Sequence, residues 1–151
     1  MMQLVVDLVS ALSVEEKKAV LTSIRQQSGI PISAFRAELS SLEIIVRFLK
    51  DVEKKSFKEI TLTLDRKLST IYTTYKKSKK KYKQALDVSD SSILIPFDLF
   101  KDRKYAVLEL VIAHLKNVEK KSFNEIAVLL HKHYNTITTT YRRYVARGVS
   151  A

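Results

Sequence analysis

The sequence predicts an all-α fold, with an N-terminal helical hairpin followed by two tandem three-helix units. Only 2 of the 151 residues are glycine and 2 are proline, too few for the turns of a hairpin-rich β fold. Apolar residues recur at three- and four-residue steps, which is the period of an amphipathic helix. Several of these segments begin with a serine followed three residues later by a glutamate, the capping box typical of helix starts.

A long internal repeat organises the chain. The segment "SFKEITLTLDRKLSTIYTTYKK" at 56–77 returns at 122–143 as "SFNEIAVLLHKHYNTITTTYRR", an offset of 66 residues. Upstream, "IPISAF" at 30–35 returns as "IPFDLF" at 95–100, with an offset of 65. Fixed-period similarity indicates repeated structural units. The repeat defines four segments: a leader (1–29), unit one (30–82), a linker (83–94) and unit two (95–151).

The leader is predicted to form two helices, over 2–12 and 14–27, with Ser13 and Glu16 as a capping box between them. Each helix has an apolar face that needs a covering surface. Two alternatives follow: the hairpin docks on unit one, or residues 1–29 form a homodimer. The first apolar run is too short to span a bilayer and lacks a basic flank, so we expect neither a membrane span nor a signal peptide.

Each unit is predicted to contain a longer helix, a short helix, a tight turn and a final basic helix. In unit one, Ser40 and Glu43 form the capping box of the first helix, and Ser56 and Glu59 that of the second. The turn follows at "LDRKLS". We expect Ser69 to be the N-cap of the final helix in unit one. Asn135 holds the equivalent position in unit two and is an equally strong N-cap.

The second and third helices of each unit resemble the helix-turn-helix of DNA-binding proteins. The resemblance is greatest to sigma-factor region 4, to response-regulator output domains and to small prokaryotic proteins with tandem units, and it covers roughly 52–82 and 118–147. Its motif positions are the apolar residues of the first helix, the small residue where the helices meet and the apolar anchor of the reading helix: Ile60, Leu64, Thr61 and Ile71, then Ile126, Leu130, Ala127 and Ile137. Where the family usually has a glycine in the turn, this chain has Asp65 and His131, which tolerate left-handed backbone geometry.

The resemblance implies that the third helix of each unit enters the major groove of DNA, where base edges are distinguishable. Helical spacing places Ile71, Thr74, Tyr75 and Ser78 on the buried or bordering side of this helix. Threonines near its start are expected to meet bases or phosphates, and the later lysines and arginines to meet phosphates. The predicted DNA-binding residues are Ser69, Thr70, Tyr72, Thr73, Lys76, Lys77, Lys80, Asn135, Thr136, Thr138, Thr139, Arg142 and Arg143.

The net charge of +11 lies on the two units. Unit one has 13 basic and 6 acidic residues and unit two has 10 and 5, whereas the leader is neutral and the linker is −1. Such an excess favours a phosphate-bearing partner. Two alternatives stay open for the basic run at 76–83, which either contacts phosphate or offsets the helix dipole as a solvated helix end. Tyr72 either stacks on a base or sugar or packs within its unit.

Several functional classes are disfavoured. The chain has no cysteine, which excludes disulfides and zinc–thiolate sites and fits a cytoplasmic, nucleoid-associated location. Gly29 and Gly148 are the only glycines, so no glycine-rich phosphate loop exists. His131 and His133 are two residues apart and lie on different helix faces, which disfavours a metal site. We expect no enzyme activity, no cofactor and no small-molecule ligand.

Double-stranded DNA is therefore the expected partner, and the expected role is that of a transcriptional regulator or a nucleoid-associated protein. The alternative is a protein-interaction adaptor that docks on the transcription machinery or on other proteins. RNA is a weaker candidate because its deep, narrow major groove does not admit a helix. An acidic membrane is also weaker, because the apolar residues that an interfacial helix needs are required by the unit core.

Overall fold

The computed structural model describes residue 11 and residues 13–18 and 29–149. Most of this part is helical, which confirms the all-α prediction. The elements are β1 (Ile30–Pro31), a 3-10 helix (Ile32–Arg36), α1 (Ser41–Arg47) with a π-helical continuation (Phe48–Val52), α2 (Phe57–Leu64), α3 (Leu68–Lys81), β2 (Leu94–Ile95), a second 3-10 helix (Phe97–Lys101), α4 (Val107–Asn117), α5 (Phe123–Leu130) and α6 (Tyr134–Val149). Within the described residues, no helix combines the length and apolar character needed to cross a bilayer.

Little of the leader belongs to the described residues. Residues 14–18 are helical, and the Glu16 N–H donates to Ser13 Oγ at 3.2 Å, as the predicted capping box requires. Residue 11, near the end of the helix predicted over 2–12, lies in a turn. The rest of the helices predicted over 2–12 and 14–27 lies outside the described residues, as does their docking or dimerisation.

Serine–glutamate pairs begin the short helices much as predicted. Before α1, the Glu43 N–H donates to Ser40 Oγ at 3.2 Å and the Ser40 N–H donates to Glu43 Oε1 at 3.0 Å. The pair before α5 also makes both bonds. Before α2, the Glu59 N–H donates to Ser56 Oγ at 3.1 Å, but the Glu59 carboxylate accepts the Ser56 hydroxyl at 3.3 Å. Each such cap satisfies backbone donors that the first helical turn leaves free.

The predicted N-caps of the final helices are wrong. Both helices begin one residue earlier than the expected caps, so Ser69 and Asn135 lie inside the first turn. The N-cap of α3 is Lys67, which makes no side-chain capping bond. The first helical bonds run from the Ile71 N–H to the Lys67 carbonyl at 3.1 Å and from its unit-two equivalent to the His133 carbonyl at 3.2 Å. The tight turn brings the chain into helical geometry before the polar cap residue is reached.

A two-stranded ribbon, which sequence reasoning did not predict, joins the two units. β1 and β2 are antiparallel, with Ile30 opposite Ile95 and Pro31 opposite Leu94. Both isoleucines are fully buried. Gly29 permits the close approach, since a Cβ at this position would lie 2.8 Å from the Ile95 carbonyl oxygen. The ribbon therefore lies inside the core rather than on the surface.

The two units exchange packing elements. The 3-10 helix of unit one packs against α5 of unit two, and the 3-10 helix of unit two packs against α2 of unit one. Phe35 and Phe100, which hold equivalent positions in these 3-10 helices, are both buried. Helices α1 and α4 also contact each other. One continuous apolar core thus draws residues from both units.

The segment 83–94 is attached to unit one along its length. Leu86 and Ile93 are buried in the core. The Ser33 hydroxyl donates to the Asp87 carbonyl at 2.7 Å, and the Asp90 N–H donates to Ser33 Oγ at 3.0 Å. The segment therefore contributes to the packing that fixes the two units on each other.

Candidate nucleic-acid interface

In each unit, a tight turn joins the second and third helices. Asp65 ends α2 with φ 52° and His131 ends α5 with φ 52°, so both adopt the left-handed conformation expected of them. The Asp65 N–H donates to the Thr61 carbonyl, and the His131 N–H to the carbonyl of Ala127, which is the pattern of a left-handed helix cap. The chain thus reverses between α2 and α3, and between α5 and α6, without glycine.

Helix α3 has the two sides that its sequence predicts. Ile71 and Ser78 are buried, whereas Thr74 and Tyr75 are half-buried. The opposite side is exposed. All predicted DNA-binding residues of unit one lie on it and are exposed: Ser69, Thr70, Tyr72, Thr73, Lys76, Lys77 and Lys80.

Helix α6 repeats this division with one difference. Ile137 and Thr140 are buried. Thr138 was expected to face outward but is half-buried, and it lines a shallow depression with Phe123 and Tyr141. The Thr138 hydroxyl donates to its own helix, at the Asn135 carbonyl (3.2 Å). The other predicted residues of unit two are exposed: Asn135, Thr136, Thr139, Arg142 and Arg143.

An aromatic cluster supports the exposed side of α3. The Phe57 ring meets the Tyr72 and Tyr75 rings edge-on, with centroids 5.4 and 5.5 Å apart. Lys76 Nζ lies 5.0 Å from the centre of the Tyr72 ring, within the range of a cation–π contact. Tyr72 nevertheless remains 46% exposed. It therefore packs within its unit and also presents part of its ring to solvent.

Two lysines of the basic run are already paired with carboxylates. Lys79 Nζ lies 2.9 Å from Asp51, and Lys81 Nζ lies 3.1 Å from Glu43. Burial alone would raise the pKa of both carboxyls, but hydrogen bonds outweigh it and lower both pKa values. Glu43 accepts from the Ser40 N–H and Lys81, and Asp51 accepts from Tyr75, Lys79 and Arg47. Within the described residues, the basic side chains of α3 that form no ion pair are Lys76, Lys77 and Lys80.

A buried arginine that sequence reasoning missed fixes the end of α3. Arg47 is 1% exposed and donates to the carbonyls of Ser78 (3.3 Å), Tyr82 (2.6 Å) and Gln84 (2.7 Å). Its Nε donates to Asp51 at 3.1 Å. Carbonyls at a helix end have no partner within the helix, so a buried guanidinium satisfies them. No sequence signal indicates these contacts, because they join residues that are 31 to 37 positions apart.

Unit two anchors its final helix in another way. Ala113 holds the position equivalent to Arg47. Arg147 instead reaches back from the end of α6 to Glu109, with Nε 3.3 Å from the carboxylate. The Tyr141 hydroxyl donates to Asn117 Oδ1 at 3.0 Å, the equivalent of the bond from Tyr75 to Asp51 in unit one. Both final helices are thus held on the preceding long helix.

Two arginines beside the α2–α3 turn also escaped sequence reasoning. Arg103, from unit two, donates to the Asp65 carbonyl at 2.8 Å. Arg66 Nε is buried and has no hydrogen-bond partner among the described residues. Burial and the nearby charge of Arg103 lower the pKa of Arg66, although Asp65 opposes this. The turn before α3 therefore carries two guanidiniums that an anion would stabilise.

The described residues contain no group of three or more histidine, cysteine, aspartate or glutamate side chains placed to hold a metal ion. No family model, curated protein or solved structure matches this chain. The site is therefore characterised by its own geometry: two equivalent helices, each with exposed threonines near its start and exposed cations further along.

Proposed function

We propose that this chain binds double-stranded DNA through α3 and α6, as a transcriptional regulator or a nucleoid-associated protein. The observation that carries the proposal is the pattern shared by the two exposed helix faces. Thr70 and Thr73 recur unchanged as Thr136 and Thr139, and the two lysines at 76 and 77 become two arginines at 142 and 143. Hydroxyl donors and positive charge are thus kept at the same places in both units.

This pattern suits a DNA groove for physical reasons. An α-helix fits the major groove, and its N-terminal residues are those that contact base edges in helix-turn-helix proteins. Threonine both hydrogen-bonds to bases and contacts the thymine methyl group. The unpaired Lys76, Lys77 and Lys80 lie on the same helix as the threonines, where phosphate contacts would fix the register of the helix.

The test is fluorescence anisotropy of the full chain with a random duplex and an AT-rich duplex of equal length, over a series of salt concentrations. We expect binding that weakens steeply with salt, because each phosphate neutralised contributes about −0.9 to the slope of log affinity against log salt. A clear preference for one duplex would favour a regulator, and equal affinities a nucleoid protein. Absence of binding at low salt would contradict the proposal.

The adaptor alternative has one specific observation in its favour. Leu62 on α2 and its equivalent Val128 on α5 are 70% and 73% exposed, so both units present an apolar side chain at the same place. A protein partner would remove these two apolar side chains from water, which is favourable. An adaptor would keep its partner at high salt, whereas DNA would dissociate. Retention of a protein partner at 0.5 M salt, with no DNA binding at low salt, would favour this alternative.

A further inference from the structure

We propose that one chain recognises an imperfect inverted repeat in DNA, with one half-site read by α3 and a related, unequal half-site read by α6. This inference rests on the proposed DNA binding and specifies its target. The order of the units along the chain would by itself suggest a direct repeat. The packing of the units gives the opposite orientation.

The first step of the argument is the ribbon. Ile30 and Ile95 are equivalent residues of the two units, and they lie directly opposite each other in an antiparallel pair. When equivalent strands pair antiparallel and a residue faces its own equivalent, a local two-fold axis passes between these two residues. A translation along the chain would leave the two strands parallel. The ribbon therefore relates the units by an approximate rotation of 180°.

The second step is reciprocity. The 3-10 helix of unit one packs on α5, and the 3-10 helix of unit two packs on α2, which is the equivalent contact in the other direction. Helices α1 and α4, also equivalent, contact each other. Mutual contacts of this kind define a two-fold interface, whereas units related by translation make head-to-tail contacts that are not returned. The chain thus has the internal symmetry of a dimer.

The third step transfers this symmetry to DNA. A duplex has its own two-fold axes perpendicular to the helix axis, and symmetric helix-turn-helix dimers align with them on palindromic sites. Helices α3 and α6 are equivalent elements, so the approximate two-fold axis between Ile30 and Ile95 relates them as well. A duplex that contacts both in equivalent ways must present its half-sites as an inverted repeat.

The fourth step is the asymmetry of the reading faces. Tyr72 in α3 is replaced by the half-buried Thr138 in α6, and Ser69 by Asn135. The cations differ as well, because α6 has Arg142 and Arg143 where α3 has two lysines. Guanidiniums, unlike ammonium groups, bind guanine or phosphate in a bidentate way. The shared threonines predict bases common to both half-sites, and the differing residues predict bases that are not.

The first experiment is selection of bound duplexes from a randomised library with the full chain. An enriched inverted repeat with unequal halves is the expected result. An enriched direct repeat, a single half-site or salt-sensitive binding with no enrichment would overturn the inference and leave DNA binding in place. No binding to any duplex at low salt would instead contradict the proposed function. The two failures are therefore distinguishable.

The second experiment rearranges the selected half-sites into inverted, direct and single arrangements, each with a series of spacers. We expect the best inverted duplex to bind at least about tenfold more tightly than the best direct one, as simultaneous engagement requires the matching geometry. We also expect one chain per duplex, measured by native mass spectrometry. Equal affinities for both arrangements, or two chains per inverted repeat, would overturn the inference.

A variant makes the two reading faces more alike. Ser69→Asn with Tyr72→Thr gives α3 the residues of α6 at both positions, and it should make the selected half-sites more similar. Lys17→Ala is the control, because Lys17 is exposed and lies outside both units. Circular dichroism checks the fold, since Tyr72 contacts Phe57. A folded variant that selects the same unequal halves as the parent would contradict the assignment of these residues.

Discussion

The Tyr75 hydroxyl lies 2.7 Å from Oδ1 of Asp51, and this hydrogen bond ties the middle of α3 to the end of the first long helical segment. The other oxygen of the same carboxylate meets Arg47 and Lys79, at 3.1 and 2.9 Å. Asp51 therefore joins a buried arginine to the helix that carries the proposed reading face. The position of that face therefore depends on groups that lie outside it.

Replacing the buried arginine should destabilise the protein. Arg47→Ala removes four hydrogen bonds. The carbonyls of Tyr82 and Gln84 lose their guanidinium donor, and the Asp51 carboxylate keeps only Tyr75 and Lys79. We expect the free energy of unfolding, measured by urea denaturation, to fall by about 3 kcal/mol. Glu53→Ala, an exposed change close by, is the control. A loss below about 1 kcal/mol would show that the hydrogen bonds of Arg47 contribute little to stability.

Removing two unpaired cations from α3 should reduce the salt dependence of DNA binding. Lys76→Ala with Lys77→Ala is expected to weaken binding to all duplexes and to lower the salt slope by about two. The control is Lys17→Ala with Lys101→Ala, which removes the same charge outside α2, α3, α5 and α6. It should leave the slope nearly unchanged. Equal slopes for the parent and the α3 variant would place the phosphate contacts elsewhere.

Loss of a threonine hydroxyl should change which sequence is preferred. Thr73 is exposed near the start of α3, where a base contact is expected. Thr73→Ala should alter the ranking of duplexes in a site library, with a cost of about 1–3 kcal/mol at the affected base pair. Ser91→Ala, which removes a hydroxyl from the exposed linker, should preserve the ranking. An unchanged ranking for Thr73→Ala would exclude a base contact by this residue.

Stability should decrease on mild acidification because of His114. Burial lowers the pKa of His114, although Glu119 opposes this. The folded state therefore binds the proton less readily than the unfolded state, whose histidine titrates near 6.5. Stability is retained above that pH and falls as the pH drops through the folded pKa, by at most about 1.4 kcal/mol per pH unit.

His114→Phe should remove this pH dependence, because Phe48 holds the equivalent position in unit one. Urea denaturation of parent and variant between pH 7 and 5 measures the difference. The lowered pKa values of Glu43 and Asp51 have their effect at more acidic pH, where carboxylates protonate. The same slope in both proteins over this window would exclude His114 as the cause.

The left-handed turn residue should accept glycine better than alanine. Asp65 has φ 52°, a conformation that costs an ordinary L-residue about 1–2 kcal/mol. Asp65→Ala should therefore lower the free energy of unfolding by about 1 kcal/mol, whereas Asp65→Gly should be neutral or stabilising. Thermal and urea denaturation of the two variants decide the point. A more stable alanine variant would show that the turn is not strained.

Much of the fold was predictable because its signals are local. The capping pairs at Ser40 and Ser122 mark helix starts within three residues, and the pair at Ser122 has an equivalent at Ser56 in unit one. The burial of Ile71 and Ile137 follows from helical spacing. The left-handed turn at Asp65 agrees with a residue type that tolerates this geometry, placed where helix-turn-helix proteins usually have glycine. Each of these inferences needs only a short stretch of sequence.

The remaining features depend on contacts between distant parts of the chain. The ribbon of Ile30 with Ile95 is too short for a period-two pattern to appear in the sequence. The ion pair of Lys81 with Glu43 joins residues 38 positions apart, so no local sequence signal indicates that a lysine of the basic run is paired. The contact of Arg103 with the α2–α3 turn comes from the other unit altogether. All three features are determined by tertiary packing.

The exchange of 3-10 helices also has a consequence for how the chain folds. Each unit completes its core with a 3-10 helix of the other unit: Ile32–Arg36 packs on Phe123–Leu130, and Phe97–Lys101 packs on Phe57–Leu64. Neither half can complete its interior first, so a half-folded species would expose apolar surface in both units. Contacts at such separations are slow to form. The chain should therefore fold slowly for a helical protein of its size and melt in a single cooperative step, unlike a string of independent modules.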